Sequence, residues 1–414
     1  MTEPRASYAA LFRLPSVGRI LLAMTLARIA ASMTSVAVIL FALEEYGSPP
    51  LAGIVAFAAT APAILAGPVA GALLDRHGRT RLVIADYLLS GIAVAGIAGL
   101  SVIGALPPWL LVGIVAIAAL TTPLSVSGLR SLLPVLVPQP LWERVNALDS
   151  NGFVIASLIG PPAAGVMMQL LGAPTALLAI AALLVVAAAV VARIREPSVR
   201  FESTSGVLHD AWDGLRYTWR NPVLRGLALT MTTFYGAAGV LAIVVPVILL
   251  DRLRTGPAVV GIAWAVMAVA GGIAAFAFGR RQSRGRERRW LTWSMLAAAG
   301  GIALLLPQAG GLGLVIVAMI VVGSTYGPID IALFTLRQRS TDAAWMGRAF
   351  AVSVALNGTG YPIGSLLGGS LVSRSLELAV LLASASCLLG AWLAWRLIAR
   401  DELGAMNTPR TGDR

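Results

Sequence analysis

The fold is decided by residues 87–129, which read YLLSGIAVAGIAGLSVIGALPPWLLVGIVAIAALTTPLSVSGL and contain no charged side chain. One helix of this length would measure about 65 Å at 1.5 Å per residue, roughly twice the hydrocarbon layer of a membrane. The stretch must therefore cross the membrane, turn and cross back. Leu106-Pro107-Pro108 supplies the turn, because proline ends helices and lacks an amide donor.

The rest of the chain has the same character. Of its 414 residues, 58% are hydrophobic and 12% are charged, whereas soluble domains carry about 25% charged residues. This excludes an ordinary soluble enzyme, a nucleic-acid-binding domain and a disordered chain, and the continuous apolar runs argue against a β-barrel. The charge-free stretches predict twelve membrane-spanning helices, near 20–43, 51–74, 82–104, 108–129, 150–171, 173–192, 226–250, 256–279, 290–307, 311–333, 349–372 and 376–396.

The basic residues predict the orientation. All of them are Arg, and they lie mainly in the short gaps between apolar runs. With both termini in the cytoplasm, only Arg252, Arg254 and Arg374 fall in outer loops and only Arg28 within a span, which satisfies the positive-inside rule. We therefore predict a multi-pass protein of a bacterial-type inner (plasma) membrane, whose net charge of +12 faces the lipid bilayer and not nucleic acid.

One long polar segment divides the chain into two halves of six spans. Residues 193–225 carry apolar and charged residues at helical spacing, which favours an amphipathic helix at the inner interface, although a flexible linker is an open alternative. The predicted domains are therefore 1–192, 193–225 and 226–414. The halves resemble each other at an offset of 204 residues, which pairs Arg144 with Arg348, unless the similarity is chance in Ala- and Gly-rich sequence.

The most specific motif lies between spans 2 and 3, in Gly71-Ala72-Leu73-Leu74-Asp75-Arg76-His77-Gly78-Arg79-Thr80-Arg81. It resembles the signature loop of the major facilitator superfamily. The resemblance implies that Asp75 interacts with Arg79 and with the start of helix 11, which closes the inner side. The alternative is a positive loop with a turn glycine. The conformational latch so predicted comprises Gly71, Asp75, Arg76, Gly78, Arg79 and Arg81.

A second motif in span 5, Gly160-Pro161-Pro162-Ala163-Ala164-Gly165, resembles the antiporter motif of the family's proton-driven exporters. It departs from that motif at Ala164, and Ala156 replaces an upstream glycine. Its functional residues would be Gly160, Pro161, Pro162 and Gly165. The alternative is a plain kink with close helix packing.

Segments 215–222, 143–147 and 347–348 are similar to an exporter branch of the family that includes enterobactin-exporter-like and macrolide-efflux-like proteins. This resemblance implies twelve helices in two pseudo-symmetric six-helix bundles, forming a secondary transporter that works as a monomer without a cofactor. It also implies export of a drug-like compound or a siderophore, driven by the proton gradient. The alternatives are a proton-driven importer of a small metabolite, a membrane-embedded enzyme and a passive receptor or scaffold.

Polar residues within spans are the candidates for substrate and proton binding. Arg28 lies roughly 13 Å into span 1, where a charge needs a wet cavity or a partner; the alternative is an Arg that snorkels to water. Asp86 and Asp149 are interpreted as structural acids at span ends. The other cavity candidates are Asp330, Phe234, Tyr235, Tyr326, Asn357 and Tyr361. Glycines predicted to pack between the bundles are Gly67, Gly360, Gly364 and Gly368.

Overall fold

The computed structural model describes residues 8–194, 196, 207–280, 283, 285–306, 311–342 and 345–398, without the side chains at 68, 72, 75, 207–211 and 346–351. Every regular element within these ranges is a helix. The prediction of an all-α chain is therefore confirmed.

Among the described residues, ten helices are long and apolar enough to cross a membrane, judged by length and composition. Two further crossings come from a helix of 17 residues and from two helices of 13 residues in succession. Spans 1 to 12 are, in order, Val17–Tyr46, Pro49–Ala58 with Ala61–His77, Arg79–Val102, Pro108–Gly128, Trp142–Leu171, Ala173–Val191, Pro222–Val247, Pro257–Gly279, Glu287–Ala303, Gly311–Arg339, Met346–Gly358 with Gly360–Val372, and Leu376–Leu397.

Proline and side-chain caps explain where many spans begin. Proline stands in the first turn of spans 2, 4, 6 and 7, where its missing amide donor costs no hydrogen bond. Before span 2, the Ser48 hydroxyl accepts a hydrogen bond from the Leu51 amide at 3.3 Å. Before span 7, the Asn221 side-chain oxygen accepts from two amides in the same way. These caps satisfy donors that the helix cannot.

Spans 2 and 11 are each interrupted, although the sequence predicts both as single helices. Span 2 breaks after Ala58 and span 11 breaks at Thr359. Pro62 and Pro362 explain the breaks, because a proline cannot donate to the carbonyl four residues earlier and its ring collides with that carbonyl. Those carbonyls belong to the last residues of the first helices, Ala58 and Gly358.

Span 5 begins at Trp142, eight residues before the predicted start at 150. The prediction counted from the last charged residue, Asp149. A helix can continue through charged residues when they have water or partners, so the hydropathy pattern marks the apolar core of a span and not its end.

The contacts within the chain form two compact units. The first unit contains the described residues up to Val207 together with Leu249–Ala265, and the second contains Leu208–Ile248 and the described residues from Val266 onward. Spans 1 to 6 belong to the first unit and spans 7 and 9 to 12 to the second. The domain bounds 1–192, 193–225 and 226–414 stay a prediction.

The offset of 204 residues appears in the packing of both units. In the first unit, a Cβ atom on Gly160 of span 5 would lie 2.6 Å from Ser32 Cβ of span 1. In the second unit, a Cβ atom on Gly364 of span 11 would collide with the backbone of Gly236 of span 7. Both members of the second pair lie 204 positions after those of the first. Glycine is therefore needed at the same crossing in each unit.

The helix predicted within the polar segment is present as Val207–Arg220. One side of this linker helix packs within the second unit, where Tyr217 stacks on Trp345 at 4.9 Å between ring centroids and its hydroxyl donates to Asp342 at 3.1 Å. The opposite side is exposed and carries alternating aromatic and basic residues, namely Trp212, Arg216, Trp219 and Arg220.

Span 12 holds the single cysteine of the chain, Cys387. Its side chain is fully buried and forms no disulfide.

Candidate functional site

A cavity of about 260 Å³ lies within the first unit, lined by spans 1 to 6. Most lining residues are aliphatic, as in pockets that bind small organic molecules. The charged lining residues are Arg28 and Asp86, and the aromatic ones are Tyr87 and Phe153. Hydroxyl groups complete the polar lining, at Thr34, Ser35, Thr60, Ser90, Thr122 and Ser125.

Arg28 lies on the cavity wall and is held by span 5. Its Nη1 donates to the Asp149 carbonyl oxygen at 2.7 Å, and its Nη2 donates to Asp149 Oδ1 at 2.6 Å. The guanidinium also lies 3.7 Å from the centroid of the Phe153 ring. The Arg28 side chain is 14% exposed and that of Asp149 is fully buried. A carboxylate of this chain is thus the partner of Arg28 in the structure.

Asp149 has a second cationic neighbour, which the sequence interpretation missed. Arg130 Nε lies 3.2 Å from Asp149 Oδ2. Asp149, interpreted from the sequence as a structural acid at a span end, therefore joins the cavity wall to the turn after span 4. The charge on Arg28 was a usable signal, because an Arg within the membrane needs a wet cavity or a partner. The sequence alone could not select that acid, which lies 121 positions away.

Asp86 was also interpreted as a structural acid at a span end, yet it lines the cavity. It is 3% exposed. Its Oδ1 atom accepts no hydrogen bond from the part of the chain that the structure describes. The hydroxyl groups of Ser90, Thr121 and Ser125 interact with the carboxyl group.

The predicted latch contains a sharp junction at Gly78. This residue has φ 88° and ψ 137°, a conformation that residues with a Cβ atom rarely adopt. Span 3 begins at the next residue, Arg79. Gly71, Arg76 and Arg81 are exposed, and the side chain of Asp75 lies outside the described residues. The proposed contact between Asp75 and helix 11 therefore stays a prediction.

Glu196 caps the start of span 3, a role that the sequence interpretation did not foresee. Its Oε1 accepts from the Arg79 amide at 2.9 Å, and its Oε2 accepts from the Thr80 amide at 3.0 Å and the Thr80 hydroxyl at 2.7 Å. Burial raises the pKa of Glu196, but these hydrogen bonds and the Arg79 charge outweigh it and leave the pKa below its ordinary value. A carboxylate at a helix N-terminus is stabilised by the helix dipole.

The antiporter-like motif packs closely against the start of span 8. A Cβ atom on Gly165 would collide with the Pro257 carbonyl group, and one on Gly261 would collide with the carbonyl of Pro161. Gln169 lies one turn after Gly165 and accepts a hydrogen bond from the Ala258 amide at 3.1 Å. The described helix continues through Pro161 and Pro162. Backbone contact on this side requires small residues.

Candidates in the second unit form two groups. Phe234 packs edge-on against Tyr235 and Tyr326, with centroid distances of 6.1 and 5.0 Å. Asn357, with its amide oriented to donate to Ser353, accepts from Arg337 Nη2 at 2.9 Å.

Two other candidates of the second unit lie outside these groups. Asp330 is exposed and interacts electrostatically with Arg337, two turns further along span 10. Tyr361 is half-buried. The roles of these residues in transport stay predictions.

The glycines of span 11 do not pack as predicted. Gly360, Gly364 and Gly368 face span 7 of the same unit, where added Cβ atoms would meet the backbone of residues 232–240. The prediction that they pack between bundles is wrong for these three, because the helical spacing identified a close contact without identifying the partner. A Cβ atom on Gly67 would meet no described atom within 4 Å.

Residues 20–357 match the model of the Major Facilitator Superfamily, and residues 227–413 match it as well. The chain belongs to the major facilitator superfamily. It is therefore a membrane transporter and not an enzyme, and the predictions of the family and of its twelve-helix fold in two six-helix bundles are confirmed.

Curated relatives of this major facilitator protein cover most of its length. An uncharacterized MFS-type transporter, y4rN of Sinorhizobium fredii, is 34% identical over 94% of this chain and 96% of its own. Multidrug efflux pump Tap of Mycobacterium tuberculosis is 29% identical over 80% of this chain and 81% of its own. Macrolide efflux protein A of Streptococcus pyogenes is 24% identical over 84% and 86%.

Among solved structures, a crystal structure of nucleoside transporter NupG superposes on this chain with a TM-score of 0.65. The alignment covers 95% of this chain and 99% of NupG at 13% identity. At that identity the likeness concerns the fold alone.

Proposed function

We propose that this protein exports a small organic molecule, drug-like or a siderophore, from the cell in exchange for protons. The observation that carries the proposal is the similarity to two proteins named as efflux proteins, Tap and macrolide efflux protein A, over four-fifths or more of the chain. The antiporter-like motif of span 5 points in the same direction. Transport would proceed by alternating access, as two repeated halves suggest.

The cavity of the first unit supports a role in binding. Its aliphatic walls suit the apolar part of an organic molecule, and its few polar groups would orient it. Arg28 and Asp149 hold spans 1 and 5 together beside the cavity. We infer that this ion pair maintains the wall of the site while a substrate enters and leaves.

The setting of the transporter follows from the same proposal. It would work in the inner membrane of a bacterial-type cell as a monomer, with both termini in the cytoplasm and without a cofactor. The proton gradient would supply the energy. The latch at Gly71, Asp75, Arg76, Gly78, Arg79 and Arg81 would close the inner side, and Glu196 would fix the start of span 3 in that arrangement.

The proposal is tested by accumulation assays in a bacterial strain that lacks its main efflux pumps. Cells that express the protein should retain less of at least one compound from a panel of lipophilic drugs and siderophores. A protonophore should restore retention to the level of cells without the protein. Gradient-driven accumulation of the compound inside the cells would instead identify an importer.

Two variants connect the assay to the cavity. The double variant Arg28→Gln, Asp149→Asn removes both charges and keeps polar side chains of similar size, and we expect it to reach normal levels but to lose export. Thr232→Val, which changes the position equivalent to Arg28 in span 7, is the matched control and should export normally. Full export by the double variant would remove Arg28 and Asp149 from the mechanism.

A further inference from the structure

The buried charges at the cavity of the first unit do not balance. Arg28 and Asp149 neutralise each other through a contact of 2.6 Å. Arg130, the second cation beside Asp149, has a side chain that is 57% exposed and is therefore not a buried charge. Asp86 is 3% exposed and contributes a further negative charge when ionised. One net negative charge is therefore left without a buried cation.

The polar groups around Asp86 compensate for this charge only in part. The hydroxyl groups of Ser90, Thr121 and Ser125 interact with the carboxyl group, but those of Thr121 and Ser125 each donate their single proton to a carbonyl of their own helix, at 3.1 and 3.0 Å. Oδ1 accepts no hydrogen bond from any described residue. A buried carboxylate that has an unpartnered oxygen and no buried cation to neutralise it is costly, which favours a proton on Asp86 or an incoming cation.

The groups that face Asp86 from the neighbouring spans allow either solution. Span 1 contributes Arg28, which is already bound to Asp149. Span 3 itself contributes Tyr87, span 4 contributes hydroxyl groups, and spans 5 and 6 contribute Phe153 and Leu184. Aromatic rings attract organic cations, and one face of the Phe153 ring is already covered by Arg28, 3.7 Å from the ring centroid. A dication is disfavoured, because the cavity would then hold an excess of positive charge.

We propose that Asp86 carries a proton when no substrate is bound and exchanges it for an apolar organic monocation, which is the substrate class of this cavity. When the cation enters, the carboxyl O–H bond breaks, the proton leaves to water and the carboxylate pairs with the cation. One positive charge replaces another, so the buried charge is unchanged. This proposal rests on the proposed function for the step that couples the exchange to export.

The exchange can be measured on the purified full-length protein in weakly buffered detergent solution. The probe is tetraphenylphosphonium, an apolar monocation, and binding and proton release are recorded together. We expect the wild type to release about one proton per bound cation, and its affinity to fall about tenfold for each unit by which the pH is lowered while Asp86 is protonated. Triphenylphosphine oxide, which has similar rings but no charge, should release no proton.

Three variants isolate Asp86. Asp86→Asn, which matches the shape of the protonated acid, should bind the cation at least tenfold more weakly and release no proton. Asp86→Glu should keep proton release with an altered affinity, and it serves as the second test if Asp86→Asn does not fold. Asp251→Asn, which changes an exposed acid outside the cavity, should behave as the wild type.

Wild-type binding and proton release by Asp86→Asn would overturn the proposal, and so would a wild type that does not bind the cation. Export itself is a separate outcome. If cells export a neutral compound equally well with Asp86→Asn, the proposed function stands and the role of Asp86 is wrong. If no compound is exported but proton release at Asp86 is observed, the proposed function fails and the cation site stands.

Discussion

The crossing of spans 1 and 5 and the crossing of spans 7 and 11 occupy equivalent positions in the repeat but differ in chemistry. In the first unit, Arg28 of span 1 binds Asp149 of span 5. In the second unit, the residue equivalent to Arg28 is Thr232, whose hydroxyl contacts the Leu356 carbonyl at 3.0 Å. The position equivalent to Asp149 is Ser353, which is fully buried.

The repeat thus preserves backbone geometry more strictly than charge. Glycine is kept at Gly160 and Gly364, where the helices approach most closely. Among the side chains that the structure describes, the ion pair occurs at the first crossing, and Thr232 and Ser353 occupy the equivalent positions at the second. The first crossing therefore places charged groups on the cavity wall, whereas the described contacts at the second crossing are close backbone packing and neutral hydrogen bonds.

The largest effect that separates the two crossings is expected from Arg28→Gln. Loss of this cation leaves Asp149 buried with only the partly exposed Arg130 beside it, and breaking a buried pair from one side costs about 3–5 kcal/mol. Thermal unfolding in detergent measures this loss. Arg28→Gln, Asp149→Asn should recover most of it, and a double variant as unstable as the single one would contradict the ion-pair account.

Alanine at the two equivalent glycines should give the next largest effect. Gly160→Ala and Gly364→Ala should each destabilise the protein by about 1–3 kcal/mol through overpacking, which exceeds the gain of about 0.5–1 kcal/mol in helix propensity. Ser32→Gly should partly rescue Gly160→Ala, because it removes the side chain that the new Cβ meets. Gly364→Ala has no such rescue, since its neighbour is the backbone of Gly236. If thermal unfolding shows that Ser32→Gly restores no stability to Gly160→Ala, the proposed difference between the two glycines is contradicted.

The starts of spans 3 and 9 extend the comparison to another pair of equivalent elements. Span 3 is capped by Glu196 from outside the helix, whereas span 9 begins with its own acid, Glu287, which pairs with Arg339 at 2.7 Å. Glu196→Gln should destabilise the protein by about 1–2 kcal/mol near neutral pH, through loss of charged hydrogen bonds.

The effect of Glu196→Gln should depend on pH in a defined direction. The pKa of Glu196 is lower in the folded protein than its ordinary value of 4.5. Its contribution is therefore complete above pH 4.5 and is lost as the pH falls through the folded pKa. Unfolding temperatures measured across this range should converge for wild type and variant at low pH, and a constant difference would exclude the carboxylate as the cause.

The smallest effect is expected from Thr232→Val at the second crossing. It removes a hydroxyl whose single proton is shared between the Ala228 carbonyl at 2.8 Å and the Leu356 carbonyl at 3.0 Å, a neutral interaction worth about 0.5–1 kcal/mol. The Leu356 carbonyl keeps a hydrogen bond from the Thr359 hydroxyl at 2.7 Å. A destabilisation as large as that of Arg28→Gln would show that the two crossings are energetically alike. It would contradict the conclusion that the ion pair makes the first crossing more sensitive to side-chain loss.

The sequence predicted the elements well because burial in a membrane requires long charge-free runs. Residues 87–129 therefore gave two spans and their turn correctly, and Arg28 indicated a partner or a cavity through the cost of an isolated charge. The breaks at Ala58 and Thr359 were also readable in principle from Pro62 and Pro362.

The sequence could not select partners across the fold. Asp149 and Glu196 act on residues 121 and 117 positions away, and hydropathy carries no information on which helix faces meet. The same limit explains the wrong prediction for the glycines of span 11. Their spacing indicates a tight helix contact but does not identify span 7 as the partner. Asp86 was interpreted as a structural acid because its position near a span end resembles that of a solvated acid.

The burial of Cys387 has a practical consequence for following this transporter in motion. With one thiol in the whole sequence, and that thiol enclosed in span 12, the natural protein is already close to the cysteine-free background that spectroscopists usually have to engineer. A pair of cysteines introduced on exposed surfaces would accept spin labels or fluorophores selectively, so distance changes could be recorded without first altering the native core.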